Sequence, residues 1–197
     1  WIESCRIPQV YQKQVIRSAL ALKLHQFDDT GAIIAAGTTS LPEYPGTGRN
    51  WDYRYSWVRD SYYTLDAFSK LGHFDEIEAY ARYIRNTLIN HPESLGQPVY
   101  DIHGGCDLTE SESDLSGYRG EKPVRFGNAA YLQEQNDTYG QLILSLMPLY
   151  TDQRLPKSKQ HHDHQLIEKL LDKIDETMDK PDAGLWEFRG IKQKHTY

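Results

Sequence analysis

The sequence predicts an all-α chain in which pairs of helices are joined by alternately short and long connections. Two observations carry this. Five segments of the 197 residues place apolar side chains at helical spacing, and the densest aromatic and charged clusters fall between them, among glycines and prolines. Pro8 to about Phe27 reads as the first helix, with Val10, Ile16, Ala19, Leu20, Leu22 and Leu24 on one face. Asp28-Asp-Thr-Gly31 ends it as a turn, and Ala32 to Ala36 follows as a short strand or buried extended segment. Gly37 to Gly48 is loop. A second helix runs from about Ser56 to Leu71, with Gly72 in the place expected after a helix C-terminus. The third spans about Phe74 to Asn90, with Ile77, Ala81, Ile84 and Leu88 at helical spacing. His91 to Arg125 has no sustained period and is rich in glycine; an insert of that length is expected to be functional or disordered. Asn128 to Tyr150 resumes a helical pattern weakened by Gly140. Leu155 to His162 is a polar connector, and His164 to Met178 an amphipathic helix capped by Asp163.

Composition narrows the function. Hydrophobic residues make up 39% and charged residues 25%, an ordinary globular balance sufficient for one domain with a core. A net charge of −6 disfavours nucleic acid and anionic membranes as partners. No apolar stretch approaches the roughly 18 residues of a membrane-spanning helix. Cys5 and Cys106 form neither a metal spacing nor a disulfide framework, so a reducing, cytoplasmic setting is the expectation. The sequence starts at Trp1 without a signal peptide or an initiating methionine, which reads as a fragment or processed product. His161-His-Asp-His164 offers no tetrahedral ligand set, and Asn136-Asp-Thr138 falls in a predicted helix; neither is read as a site, and no metal or cofactor is expected.

The chemistry concentrates in Arg49 to Asp60 and in Asp182 to Gly190. The first holds three arginines and two aspartates among tryptophan and tyrosine rings, and the second one glutamate directly after Trp186. Aromatic faces beside fork-shaped donors and carboxylates suit a flat, hydroxyl-rich ring, which points to carbohydrate. Read without further help, Arg59 and Asp60 are equally compatible with a surface ion pair early in a helix, Tyr53 and Trp57 with core aromatics on one helix face, and Glu187 with a solvated loop residue. Trp51 and Asp52 read as scaffold, with Asp52 orienting a neighbouring arginine.

Thr38-Thr-Ser-Leu-Pro-Glu43, Arg49-Asn-Trp-Asp-Tyr-Arg-Tyr55, Trp57-Val-Arg-Asp60, Pro123-Val-Arg-Phe-Gly-Asn-Ala-Ala130 and Gly184-Leu-Trp-Glu-Phe-Arg-Gly190 together resemble glycoside hydrolase family 15, in motif order and over nearly the whole chain. That family contains glucoamylases, glucodextranases and bacterial-branch trehalases. The resemblance implies an (α/α)6 toroid, of which residues 1–197 would be about the first half, without the second half and an upstream β-rich domain. It implies an inverting, exo-acting α-glucoside hydrolase that releases glucose from the non-reducing ends of oligosaccharides or polysaccharides, by α-1,4, α-1,6 or trehalose linkage. Carried over by motif, Arg59 and Asp60 grip the innermost glucose, while Tyr53, Trp57 and Trp186 line its pocket. Glu187 is the general acid, kept neutral by an apolar surround of Trp186 and Phe188. Arg125 and Tyr118 fall where the family places contacts to the leaving group. The general base, about 6.5–9.5 Å from the acid in an inverting enzyme, would lie beyond Tyr197. On that reading the 197 residues alone are inactive, and exposed apolar helix faces favour self-association. The competing implication is a non-catalytic, regulatory or carbohydrate-binding relative.

Overall fold

The computed structural model describes residues 1–155 and 161–194, the side chains of 161–163 excepted. The described chain is mostly helical with a few two- and three-residue strands, and its helices do not close into a ring. Helix α1 is Gln12–His25, shorter at its start than predicted. Residues 32–36 take the extended alternative: Ile33 makes a single antiparallel bridge to Gln26, with Ala32 and Ile33 buried. The segment then hands its amides to a different partner, Ala35 N donating to Tyr55 O at 3.0 Å.

Strand β1, Ser56–Trp57, pairs antiparallel with β2, Val99–Tyr100, and helix α2, Val58–Leu71, starts directly from it. The predicted second helix therefore begins two residues late, and Trp57 belongs to the ladder. Val58, Ser61, Leu65 and Phe68 are the buried stripe of α2, and this spacing fixes the rotation of the helix so that Arg59 and Asp60 emerge on another face. Gly72 ends α2 with φ 86°, its amide reaching the Phe68 and Ser69 carbonyls, a conformation that glycine adopts without the Cβ clash other residues meet. Helix α3 is Phe74–Asn90, as predicted, with Asp75 and Glu76 in the first turn to oppose the macrodipole and Ile77, Ala81, Ile84 and Leu88 buried.

The 91–125 insert is ordered by short pairings. Besides β2 it contains β3, Ser111–Ser113, antiparallel to β4, Val124–Phe126. The predicted helix over 128–150 is broken. Ala129–Leu132 is a 3-10 turn, residues 133–136 run out of helix, α4 is Asp137–Leu146, and α5 is Pro148–Thr151. Pro148 has no N–H for the helix ladder, and the non-helical 133–136 stretch is where the site takes up side chains, as described below. Helix α6 is His161–Thr177, so Asp163 lies inside it rather than capping it, and the polar connector ends earlier than expected. The expectation that the 161–164 run is not a metal site falls on residues of which the side chains of 161–163 lie outside those described.

Helix α2 packs on α1, α3 and α4, and α4 packs on α6. Ile77, Tyr80, Ile84, Phe68, Leu142 and Leu170 are the centre of the main core. A smaller cluster of Trp57, Val99, Leu108 and Ala130 lies beneath the cleft described next. No helix among the described residues is long and apolar enough to cross a membrane.

Candidate active site

One open cleft of about 720 Å³ gathers Tyr53, Trp57, Arg59, Asp60, Trp186 and Glu187, residues drawn from opposite ends of the chain. Three elements converge to make it: the run before α2, the first turn of α2, and the loop after Asp182.

That loop is closed at its base. Asp182 and Gln193 exchange both backbone hydrogen bonds, at 2.8 and 2.9 Å, and the buried Asp182 carboxylate accepts from Asn136 N at 2.6 Å and Gly184 N at 3.0 Å. The loop is thus tied to the start of α4. At its tip Glu187 has φ 54°, in the left-handed region where an L-residue persists only if its surroundings hold it there. The hold is visible. Glu187 Oε1 accepts from Trp57 Nε1 at 2.8 Å and from Arg59 Nη2 at 2.9 Å. Both donors go to Oε1; among the described residues none goes to Oε2.

Arg59 is itself fixed from behind. Its Nη1 donates to Gln135 Oε1 at 2.9 Å and lies 3.5 Å from Asp137 Oδ2, while Gln135 Nε2 donates to Gln133 Oε1 at 3.0 Å. These three residues come from the non-helical stretch and the start of α4. Periodicity folded them into one helix and gave no sign of their role; the polar run Gln133 to Asp137 was the available signal.

Asp60 lines the cleft and is exposed there. The protein packed near the carboxyl takes away part of its hydration and raises it above the usual aspartate value, against the lowering influence of Arg59. Among the described residues no side chain donates to that carboxylate, so it faces the cleft ready to accept. Tyr53 donates to Glu43 Oε1 at 2.9 Å, and Arg49 Nε donates to Glu43 Oε2 at 2.7 Å. Burial and then the Glu43 bond push the Tyr53 phenol up, so it remains a donor at ordinary pH. The Tyr53 and Trp57 rings lie 5.9 Å apart. They do not share a helix face as their spacing suggested, since Trp57 sits in β1 and only 3% exposed.

Several sequence expectations are corrected. Trp186 and Phe188 do not bury Glu187: they line the cleft with it but are 72% and 44% exposed, and the carboxylate's partners are the Trp57 indole N–H and the Arg59 guanidinium. Arg125 and Tyr118 do not line the cleft. Tyr118 is exposed, with Arg119 over its ring. The Arg125 guanidinium lies 4.7 Å from the Trp51 ring centre and donates to the Gly48 and Asn50 carbonyls. Asp52 does orient a neighbouring arginine, binding Arg54 through both carboxylate oxygens at 2.9 and 2.7 Å.

Glu110 joins the insert to the loop, accepting from both terminal nitrogens of Arg189 at 3.0 and 2.7 Å. Arg125 Nε lies 3.3 Å away, an ionic contact without hydrogen-bond geometry. Burial alone would raise the Glu110 carboxyl, but the Arg189 and Ala129 N–H bonds and the two arginine charges outweigh it and hold the group below its ordinary 4.5. A carboxyl depressed in the folded state contributes stability above 4.5 and loses it as pH falls through the depressed value. Loop 184–190 is therefore expected to lose hydrogen-exchange protection in that acid range before α2 and α3 do. Protection that persists until the helices melt would show that Glu110 does not hold the loop.

Glycosyl hydrolases family 15 matches residues 9–197 of the chain. The chain belongs to that family. Among similar proteins, the trehalase of Thermoplasma acidophilum is 34% identical over the whole chain, which covers 33% of its length. The trehalase of Mycolicibacterium smegmatis is 40% identical over 91% of the chain and 27% of its own length, and that of Mycobacterium tuberculosis 37% identical over the whole chain and 29% of its own. The chain thus spans about a third of the curated relatives it matches. No solved structure matches it. Set in family 15, the mostly helical architecture is a portion of a helical toroid. Among the described residues no cluster of His, Cys, Asp and Glu is arranged to hold a metal, and Cys5 and Cys106 are unpaired thiols.

Proposed function

We propose that the cleft holds the non-reducing glucose of an α-glucoside, with trehalose as the favoured substrate, and that Glu187 protonates the glycosidic oxygen. The observation that carries this is the one-sided anchoring of Glu187: with Oε1 bound by Trp57 and Arg59, Oε2 is the oxygen that faces a ligand. Oε2 would carry the proton and deliver it as the bond from C1 to the glycosidic oxygen breaks. Asp60 would accept sugar hydroxyls and Arg59 would donate to them, while Tyr53 and Trp57 give the ring an apolar wall. The choice of trehalose rests on the names of the relatives.

Inversion requires a second carboxylate to activate water on the opposite face of the sugar. Besides Glu187, the cleft is lined among the described residues by the carboxylates of Asp60 and Glu43. Both Glu43 oxygens are engaged, by Tyr53 and Arg49, and Asp60 is assigned to the hydroxyls. We infer that the base comes from sequence outside these 197 residues, which form part of the catalytic barrel. Glucose release from trehalose, maltotriose and isomaltotriose by the whole protein and by the 197-residue chain tests both statements. Turnover of trehalose by the whole protein alone is expected. Turnover by the 197-residue chain would overturn the missing base, and a whole protein inert on all three would favour a sugar-binding, non-catalytic relative.

A further inference from the structure

We propose that Trp51 is a positioning residue for Glu187, acting through Arg189 and Glu110 on the far side of the loop. The base of the loop is tied by Asp182, and beyond the two bonds that Glu187 Oε1 accepts from Trp57 and Arg59 its tip has few attachments. Leu185, Trp186 and Phe188 line the open cleft but stay exposed, so no buried apolar side chain anchors it. Gln133 Nε2 reaches the Glu187 carbonyl at a long 3.3 Å. The remaining attachment is Arg189, two residues after Glu187, whose guanidinium lies 4.0 Å from the Trp51 ring centre.

Trp51 lines the cleft, and besides Arg189 the Arg125 guanidinium also lies over its ring. Two cations on one indole would repel each other without a counter-charge. Glu110 supplies it, binding Arg189 through two hydrogen bonds and Arg125 through the ionic contact. The arrangement joins three separate parts of the chain. Trp51 comes from the run before α2, Arg125 and Glu110 from the two sides of the β3–β4 ladder, and Arg189 from the loop. Arg125 is fixed on Gly48 and Asn50 carbonyls, so the ring and its partners form a fixed post against which the loop rests. Pulling Arg189 onto that post holds Glu187 at its left-handed φ, within reach of Trp57 and Arg59.

The inference rests on the reading of Glu187 above, and the test separates the two. The chain has four tryptophans, and Trp57's indole N–H is bonded to the Glu187 carboxylate, so its cross-peak in a ¹H–¹⁵N spectrum of the full 197-residue chain reports where Glu187 sits. In Trp51→Ala this peak is expected to move towards its position in Glu187→Ala, while Trp51→Tyr, which keeps an aromatic face, stays near the starting position. Should Trp51→Ala fail to fold, Glu110→Gln is read in the same way. In the whole protein Trp51→Ala is expected to lower kcat by on the order of ten- to a hundredfold with KM little changed, the signature of a misplaced acid. An unmoved Trp57 peak in a folded variant would overturn the proposal. A moving peak in a protein that hydrolyses nothing would leave the positioning intact and remove the hydrolase reading instead.

Discussion

Replacing Glu187 by glutamine in the whole protein is expected to lower kcat by about 10²- to 10⁴-fold, the usual range for loss of a general acid, with KM and melting temperature little altered. The amide oxygen of glutamine still accepts from Trp57 and Arg59, the two bonds that fix the side chain, so the loop keeps its place. What disappears is the proton on the second carboxyl oxygen. Steady-state rates on trehalose give the answer, and a loss below about tenfold would assign Glu187 a binding role only.

Replacing Arg59 by leucine should damage both stability and catalysis. Arg59 binds Glu187 and Gln135 and lies beside Asp137, whose side chain is 11% exposed. Leucine leaves two carboxylates near each other without a cation, and Gln135 Oε1 without its donor. Removing one partner of a buried pair costs about 3–5 kcal/mol; with both Arg59 and Glu187 partly open to solvent, about 2 kcal/mol is the expectation. The denaturation midpoint measures this. Arg59→Lys should recover part of the stability, since it restores the charge, but less of the kcat, since a single ammonium cannot serve Glu187 and Gln135 as a fork does. Equal activity in the lysine variant would mean that charge alone matters at this position.

The parts of the fold that were legible in sequence are those set by local chemistry. Helix α3 was bounded correctly because its apolar spacing and flanks agree, and Gly72 marked the end of α2 through its need for positive φ. Spacing puts Trp57 in a helix, because a two-residue strand against Val99 leaves no periodic trace. The stretch from Asn128 to Tyr150 reads as one helix for a related reason: Gln133 and Gln135 leave the helix to support Arg59, a demand that arises 76 residues away in the sequence. At the site, the cleft collects the six residues that the motifs singled out, yet the residues that hold them were not visible. Glu110 and Arg189 stand 79 positions apart, and nothing in the composition of either neighbourhood announces the other. The expected apolar jacket around Glu187 is missing because Trp186 and Phe188, though beside it in the cleft, stay exposed on a loop whose course depends on the distant Asp182–Gln193 closure and on Arg189.

The most direct test of Glu187 as the acid compares two substrates in the Glu187→Gln whole protein: trehalose, whose leaving sugar needs a proton, and α-glucosyl fluoride, whose fluoride ion leaves with little help. The expected result is a collapse of trehalose hydrolysis with glucosyl fluoride hydrolysis largely kept. Equal losses on both substrates would contradict the proton-donor role and return Glu187 to the substrate-binding residues.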